Sequence, residues 1–175
     1  MSYLFDVLIK KLIFIFKSSI FANTCKKNIN IQNKKARFEF EILDKFVAGI
    51  QLTGTEIKSI RLSKARITES FCEFNDRGEL FVINMFIEEY MYGHHYNHKP
   101  TSERRLLLNK RELKSLKKEI DTKGNTIVPL KLFINDNGWA KLEIALAKGK
   151  KIHDKRESIK DRDNKRDLAR IKKDF

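Results

Sequence analysis

Apolar and polar residues alternate strictly through Arg37-Phe38-Glu39-Phe40-Glu41-Ile42, the pattern of a half-buried strand. Phe46-Val47-Ala48-Gly49-Ile50-Gln51-Leu52 continues it, and Gly49 inside the run predicts a bulge or bend. The period then changes. Ile57 and Ile60 stand three apart, which predicts a short helix after Gly54. Two strand-like runs, Ser70 to Phe74 and Glu79 to Ile83, flank Asn75-Asp76-Arg77-Gly78, a hairpin turn signal. Asn109 is placed to N-cap a helix from Lys110 to about Ile120, with Glu112 at the capping-box position. Leu113, Leu116 and Ile120 would be its buried face. Lys123-Gly124-Asn125 breaks the helix, and Thr126 to Ile134 and Trp139 to Ala147 read as two more strands joined by Asn135-Asp136-Asn137-Gly138. Short antiparallel strands with interposed helices predict a mainly β chain folded as a small closed barrel. A barrel of the oligonucleotide-binding kind fits both size and charge.

The two ends depart from this pattern. Leu4 to Phe21 is rich in Leu, Ile and Phe, yet Lys10, Lys11 and Lys17 interrupt it. A spanning helix needs about 20 mostly apolar residues, and three lysines inside the run are costly. A signal peptide would carry its charges ahead of the apolar run. An interfacial amphipathic helix and an over-extended translation start account for the segment equally well. At the other end apolar residues are sparse: Ile152, Ile159, Leu168, Ala169 and Ile171 form no continuous stripe. Glu157 with Lys160 and Asp161 with Lys165 are helix-spaced pairs, each worth only about 0.2–0.5 kcal/mol. This tail is expected to be disordered alone and to become helical against a polyanion, or else to be ordinary solvated surface.

Charge sharpens the picture. The 175-residue chain carries 37 Lys and Arg against 23 Asp and Glu, a formal net charge of +14. The excess is concentrated at the ends: residues 148–175 hold 12 basic and 6 acidic residues, and residues 1–32 hold 5 and 1. Such a balance favours a polyanionic partner. Two cysteines, Cys25 and Cys72, cannot build a disulfide framework and suggest a reducing, cytoplasmic setting.

Catalytic chemistry finds little support. His94, His95 and His98 lie close together, but no good fourth ligand stands nearby, so an exposed loop is favoured over a metal site. There is no phosphate-binding G-x-x-x-x-G-K-[ST] loop and no Ser/His/Asp motif. Glu88 and Glu89 are adjacent and would face opposite sides of a strand. No enzyme, metal or cofactor is expected. Aromatic and basic residues do interleave: Tyr90, Tyr92, Tyr96, Arg104 and Arg105 share one segment. Tyrosines can stack on unpaired bases and arginines can hold phosphates, or the tyrosines can simply cover the barrel mouth. Glu56 is either a base-reading carboxylate within a basic face or a surface helix residue paired with a neighbouring lysine.

Three longer runs carry a resemblance. Ala48-Gly49-Ile50-Gln51-Leu52-Thr53-Gly54-Thr55-Glu56-Ile57-Lys58-Ser59-Ile60-Arg61 resembles the AGI-L-GTE-KS-R hallmark of the SmpB family, the SsrA-binding proteins of bacteria. Leu106-Leu107-Leu108-Asn109-Lys110-Arg111-Glu112-Leu113 is similar to the family's LLL-x-x-x-E segment. Ala147-Lys148-Gly149-Lys150-Lys151-Ile152-His153-Asp154-Lys155-Arg156 resembles its AKGKK-x-x-DKR segment, and Asn33-Lys34-Lys35-Ala36 fits its opening. The likeness runs from about residue 31 to the C-terminus, in order and in register.

The resemblance implies a six-stranded oligonucleotide-binding-type barrel with about three helices and a basic tail. It divides the chain into an extension outside the family pattern (1–30), the barrel (31–147) and the tail (148–175). It implies an RNA-binding adaptor, not an enzyme. Such an adaptor binds the tRNA-like domain of tmRNA and brings it, alanine-charged and with elongation factor Tu, to stalled ribosomes for trans-translation. By matching position, Asn33, Glu56, Leu107 and Asn109 would contact tmRNA. Lys150, Lys151, His153, Asp154, Lys155 and Arg156 would belong to the tail that enters the small-subunit decoding centre and the empty messenger channel. No membrane partner is implied. Two departures stand out. The family's D-P-x-R-x-R-K run is here Lys99-Pro100-Thr101-Ser102-Glu103-Arg104-Arg105, and Lys172 stands where Met is common.

Overall fold

Two turns of the same chemistry set the frame. In each, an Asn opens the turn and a Gly closes it in left-handed backbone, Gly78 at φ 74° and Gly138 at φ 81°. The Asn75 side chain accepts the Glu79 N–H (2.8 Å), and the Asn135 side chain accepts the Trp139 N–H (2.8 Å). Left-handed φ is cheap for glycine and strained for other residues, so both hairpins are fixed locally.

The computed structural model describes residues 29–93, 96–122, 124–151 and Asn164. In chain order the elements are β1 (Asn30–Gln32), α1 (Lys34–Glu39), β2 (Phe40–Ile50), α2 (Gly54–Arg61), β3 (Ala65–Arg66), β4 (Phe71–Phe74) and β5 (Leu80–Ile83). There follow β6 (Phe86–Ile87), β7 (Arg104–Leu107), α3 (Lys110–Ile120), β8 (Asn125–Ile134) and β9 (Ala140–Gly149). Strands pair in the order β8-β4-β5-β7-β2-β9, and β9 pairs back onto β8, so the six close into an antiparallel ring. β1 adds to β8 through Asn30–Phe133 to Gln32–Lys131, and β3 with β6 makes a separate two-stranded ribbon. This is the mainly β closed barrel that the sequence predicts, with the three helices that the family resemblance implies.

The barrel interior is aliphatic. Leu80, Val82, Ile127, Leu132, Leu142 and Ile144 are wholly buried, and Ile60 of α2 and Leu116 of α3 join them. Each fully buried side chain of this size contributes roughly 1.5–3 kcal/mol. β8 and β9 are covered on their outer face as well: Val128, Leu130, Ala145 and Ala147 pack with Ala36 of α1. That explains why these two strands read as nearly continuous apolar runs rather than alternating ones.

The structure corrects two expectations. Residues 34–39 form a helix, and the strand begins only at Phe40. The cause is Asn33, whose side-chain oxygen caps the helix by accepting the Ala36 N–H (3.0 Å). Gly49 is not a bulge; the register of β2 shifts between Ile42 and Asp44 instead. At Gly49 the strand pairs on both edges, with Lys141 and with Leu107, and a Cβ there would stand 3.4 Å from the Leu107 Cβ. A Cβ at that distance would make ordinary van der Waals contact, so Gly49 marks continuous pairing on both edges of β2 rather than a break in it. The strands β1, β3, β6 and β7 are too short to show a period in sequence.

Candidate nucleic-acid interface

Thr53 and Glu56 close a capping box at the start of α2: Thr53 N–H donates to Glu56 Oε2 (2.7 Å) and Glu56 N–H reaches Thr53 Oγ1. This turns the Glu56 carboxylate inward, where it is 3% exposed. Its other oxygen, Oε1, accepts Nε–H of Arg104 at 2.7 Å. Arg104 is equally buried and spreads its remaining donors over carbonyls. Nη1 reaches Met85 and Ser102, and Nη2 reaches Pro100 (3.1 Å) and, at 3.5 Å, Lys99. The guanidinium fork, with donors on three nitrogens, is suited to such a multi-centre grip.

This geometry overturns two sequence readings. Glu56 is not a surface helix residue paired with a lysine. Arg104 does not stand ready for phosphate, because it is occupied in a buried ion pair. The alternation of β7 explains the split: Arg104 and Leu106 point in, Arg105 and Leu107 point out. Arg105 is exposed and pairs with Glu79 (2.7 Å).

Leu107 is half exposed, and Asn109 two residues on is exposed at the start of α3, where its N–H donates to Glu112 Oε2 (2.9 Å). These two predicted site residues share one edge of the molecule, with Glu56 buried behind it through Arg104 of the same strand. Asn33 is elsewhere and buried. Its amide nitrogen donates to Ile67 O (3.2 Å), Thr68 O (3.4 Å) and Pro129 O (3.1 Å), locking β1 and α1 against β8. Tyr92 and Tyr96 are exposed, so they do not seal the barrel; Tyr90 meets Tyr92 edge-on (5.6 Å) and lies under Lys58. His98 uses both ring nitrogens: Nε2 lies 3.2 Å from Ile87 O, which can only accept, and Nδ1 lies 2.9 Å from Thr55 Oγ1. His94 and His95 lie outside the described residues. Among the described residues no group of three or more His, Cys, Asp or Glu converges as a metal site. Nor, among them, is any helix long and apolar enough to cross a membrane.

The family model described as "SmpB protein" matches residues 30–174. The chain belongs to the SmpB family. Among its relatives, the SsrA-binding protein of Flavobacterium psychrophilum is 69% identical over 149 residues, covering 85% of this chain and 99% of the relative. That of Christiangramia forsetii is 61% identical over 155 residues, covering 89% and 98%. A solved structure described as "tmRNA-SmpB: a journey to the center of the bacterial ribosome" contains a chain that is 44% identical. It superposes with a TM-score of 0.60 over 71% of this chain and 86% of that one.

Against the SmpB pattern, the altered loop before β7 now has a physical account. Arg104 holds it through the main-chain carbonyls of Lys99, Pro100 and Ser102, so the departures at Lys99 and Ser102 leave that grip intact. At the SmpB tail, Lys150 N–H donates to Glu39 O (3.0 Å), which ties the end of β9 to α1, and Lys151 is exposed. His153, Asp154, Lys155, Arg156 and Lys172 lie outside the described residues, as do the apolar segment 4–21 and Cys25.

Proposed function

We propose that this chain is a cytoplasmic RNA-binding adaptor for trans-translation. It binds the tRNA-like domain of tmRNA and brings it, with elongation factor Tu and the alanyl charge, to stalled ribosomes. The barrel edge carrying Leu107 and Asn109 faces the RNA. Glu56 acts on that surface from behind, through the Arg104 pair, while Asn33 holds β1 and α1 against β8 away from it. The basic tail that leaves the end of β9, with Lys150, Lys151, His153, Asp154, Lys155 and Arg156, occupies the decoding centre and the empty messenger channel. Residues 1–28, which precede the buried Ile29 and β1, are dispensable to this role.

The observation that carries the reading is the barrel itself. Its family match runs from β1 through the basic tail, and it sets Leu107 and Asn109 together on an exposed edge. A protein of net charge +14 meets folded RNA through shape and phosphate contacts rather than by reading paired bases.

Truncation tests the division of labour. Deleting residues 152–175, which keeps β9 and the Lys150–Glu39 tie, is expected to leave binding to the tRNA-like RNA within about threefold and to abolish peptide tagging on stalled ribosomes in a reconstituted system. Tagging that survives the truncation contradicts the role given to the tail.

A further inference from the structure

Beside Leu107 lies a cleft of about 590 Å³ between α2, β2 and the β8–β9 turn. That volume is in the range of small-ligand clefts, roughly 300–1,000 Å³. Trp139, the chain's single tryptophan, stands at its rim and is 70% exposed. Leu107, Ile50, Leu52 and Ile57 supply the apolar walls. Among the described residues, Arg61 and Lys141 are the only charged ones lining it, and no carboxylate does. The cleft is built rather than incidental. Gly138 in left-handed backbone turns the chain so that Trp139 projects, and Arg61 Nη2 lies 3.9 Å from where a Gly138 Cβ would stand. Leu107 is the cross-strand partner of Gly49, which seats it against β2.

We propose that this cleft takes one unpaired nucleobase of the bound RNA, stacked on the Trp139 indole, with Arg61 and Lys141 holding the flanking phosphates. An indole face accepts any base, and a guanidinium beside it adds stacking and charge. An all-cationic rim favours a polyanion over an acidic-rimmed or uncharged partner surface, and the cleft is continuous with the exposed Leu107–Asn109 edge. The inference rests on the RNA-binding role proposed above and adds Trp139 and Arg61 as RNA-contacting residues that contribute affinity.

The single tryptophan makes the test direct. The full chain is titrated with the tRNA-like domain of tmRNA while filter retention and tryptophan fluorescence are read together. Stacking predicts quenching with the same midpoint as retention. Trp139→Ala is expected to lose about 5- to 150-fold in affinity with an unchanged salt slope, and Trp139→Phe to stay within about threefold of wild type. Trp139 is an exposed turn residue, so both variants are expected to keep the wild-type melting temperature. Retention without quenching, together with full affinity for Trp139→Ala, overturns the base site while leaving the adaptor role standing. A fluorescence change that follows protein concentration without RNA assigns the cleft to a second copy of the chain and equally overturns it. Absence of retention removes the RNA-binding role, and the base site with it.

Discussion

Glu56→Ala tests the buried pair most sharply. The substitution leaves the Arg104 guanidinium charged, 3% exposed and without a counter-ion. Removing one partner of a buried pair costs about 3–5 kcal/mol. Arg104 keeps its carbonyl contacts to Met85, Pro100 and Ser102, which places the loss at the low end. Losing the bond to Thr53 N–H adds about 1 kcal/mol. A total of about 3–4 kcal/mol lowers the melting temperature of a domain this size by roughly 10–15 °C. Glu56→Gln keeps an acceptor for Arg104 Nε but turns an amide N–H toward Thr53 N–H, so it should lose about half as much. The assay is thermal unfolding followed by circular dichroism, paired with RNA titration at a temperature where each variant is folded. Because Glu56 has no free face toward a ligand, Glu56→Ala should weaken RNA binding by loosening the 98–103 loop, with the salt slope unchanged. An unchanged melting temperature with RNA affinity lost tenfold or more would refute this reasoning and make the carboxylate an RNA contact.

Other residues give independent checks. Asn33→Ala removes a helix cap and two buried donor contacts, so it should cost about 2–3 kcal/mol, read as a shift in urea midpoint; a shift within error contradicts the locking role. Burial pushes the Cys72 thiol well above its ordinary range. In a Cys25→Ser chain at pH 8, a thiol reagent should therefore modify Cys72 only as fast as the protein unfolds, and rapid stoichiometric labelling of the native chain contradicts this. As pH rises through about 8.5, the unfolded thiol ionises while the folded one stays protonated, so this group's contribution to stability falls.

The hairpins and the long helix were legible because their signals are local. Asn75 to Gly78 and Asn135 to Gly138 carry their own turn chemistry, and Leu113, Leu116 and Ile120 fall on one helical face. Residues 34–39 misled because the alternation of Arg37 to Ile42 outweighed the local Asn33 cap on Ala36, and the contacts that anchor Asn33 reach 34 and 96 residues away, to Ile67 and Pro129. Glu56 shows the same limit. The Thr53-x-x-Glu56 box stands in the sequence and could have signalled an inward carboxylate, but Arg104 is 48 residues distant. Phosphate-binding promise was read into Arg104 and Arg105 alike; only the phase of β7 separates the buried one from the exposed one. Trp139 reads as the first residue of a strand, yet it closes the turn, and its exposure follows from Gly138.

The most direct measurement is a competition titration at two salt concentrations, with the tRNA-like domain of tmRNA against ordinary tRNA of similar length. Shape recognition by the barrel predicts much tighter binding to the tRNA-like domain, with the preference kept at the higher salt. Equal affinities that collapse together as salt rises would mark a generic polycation and contradict the adaptor account.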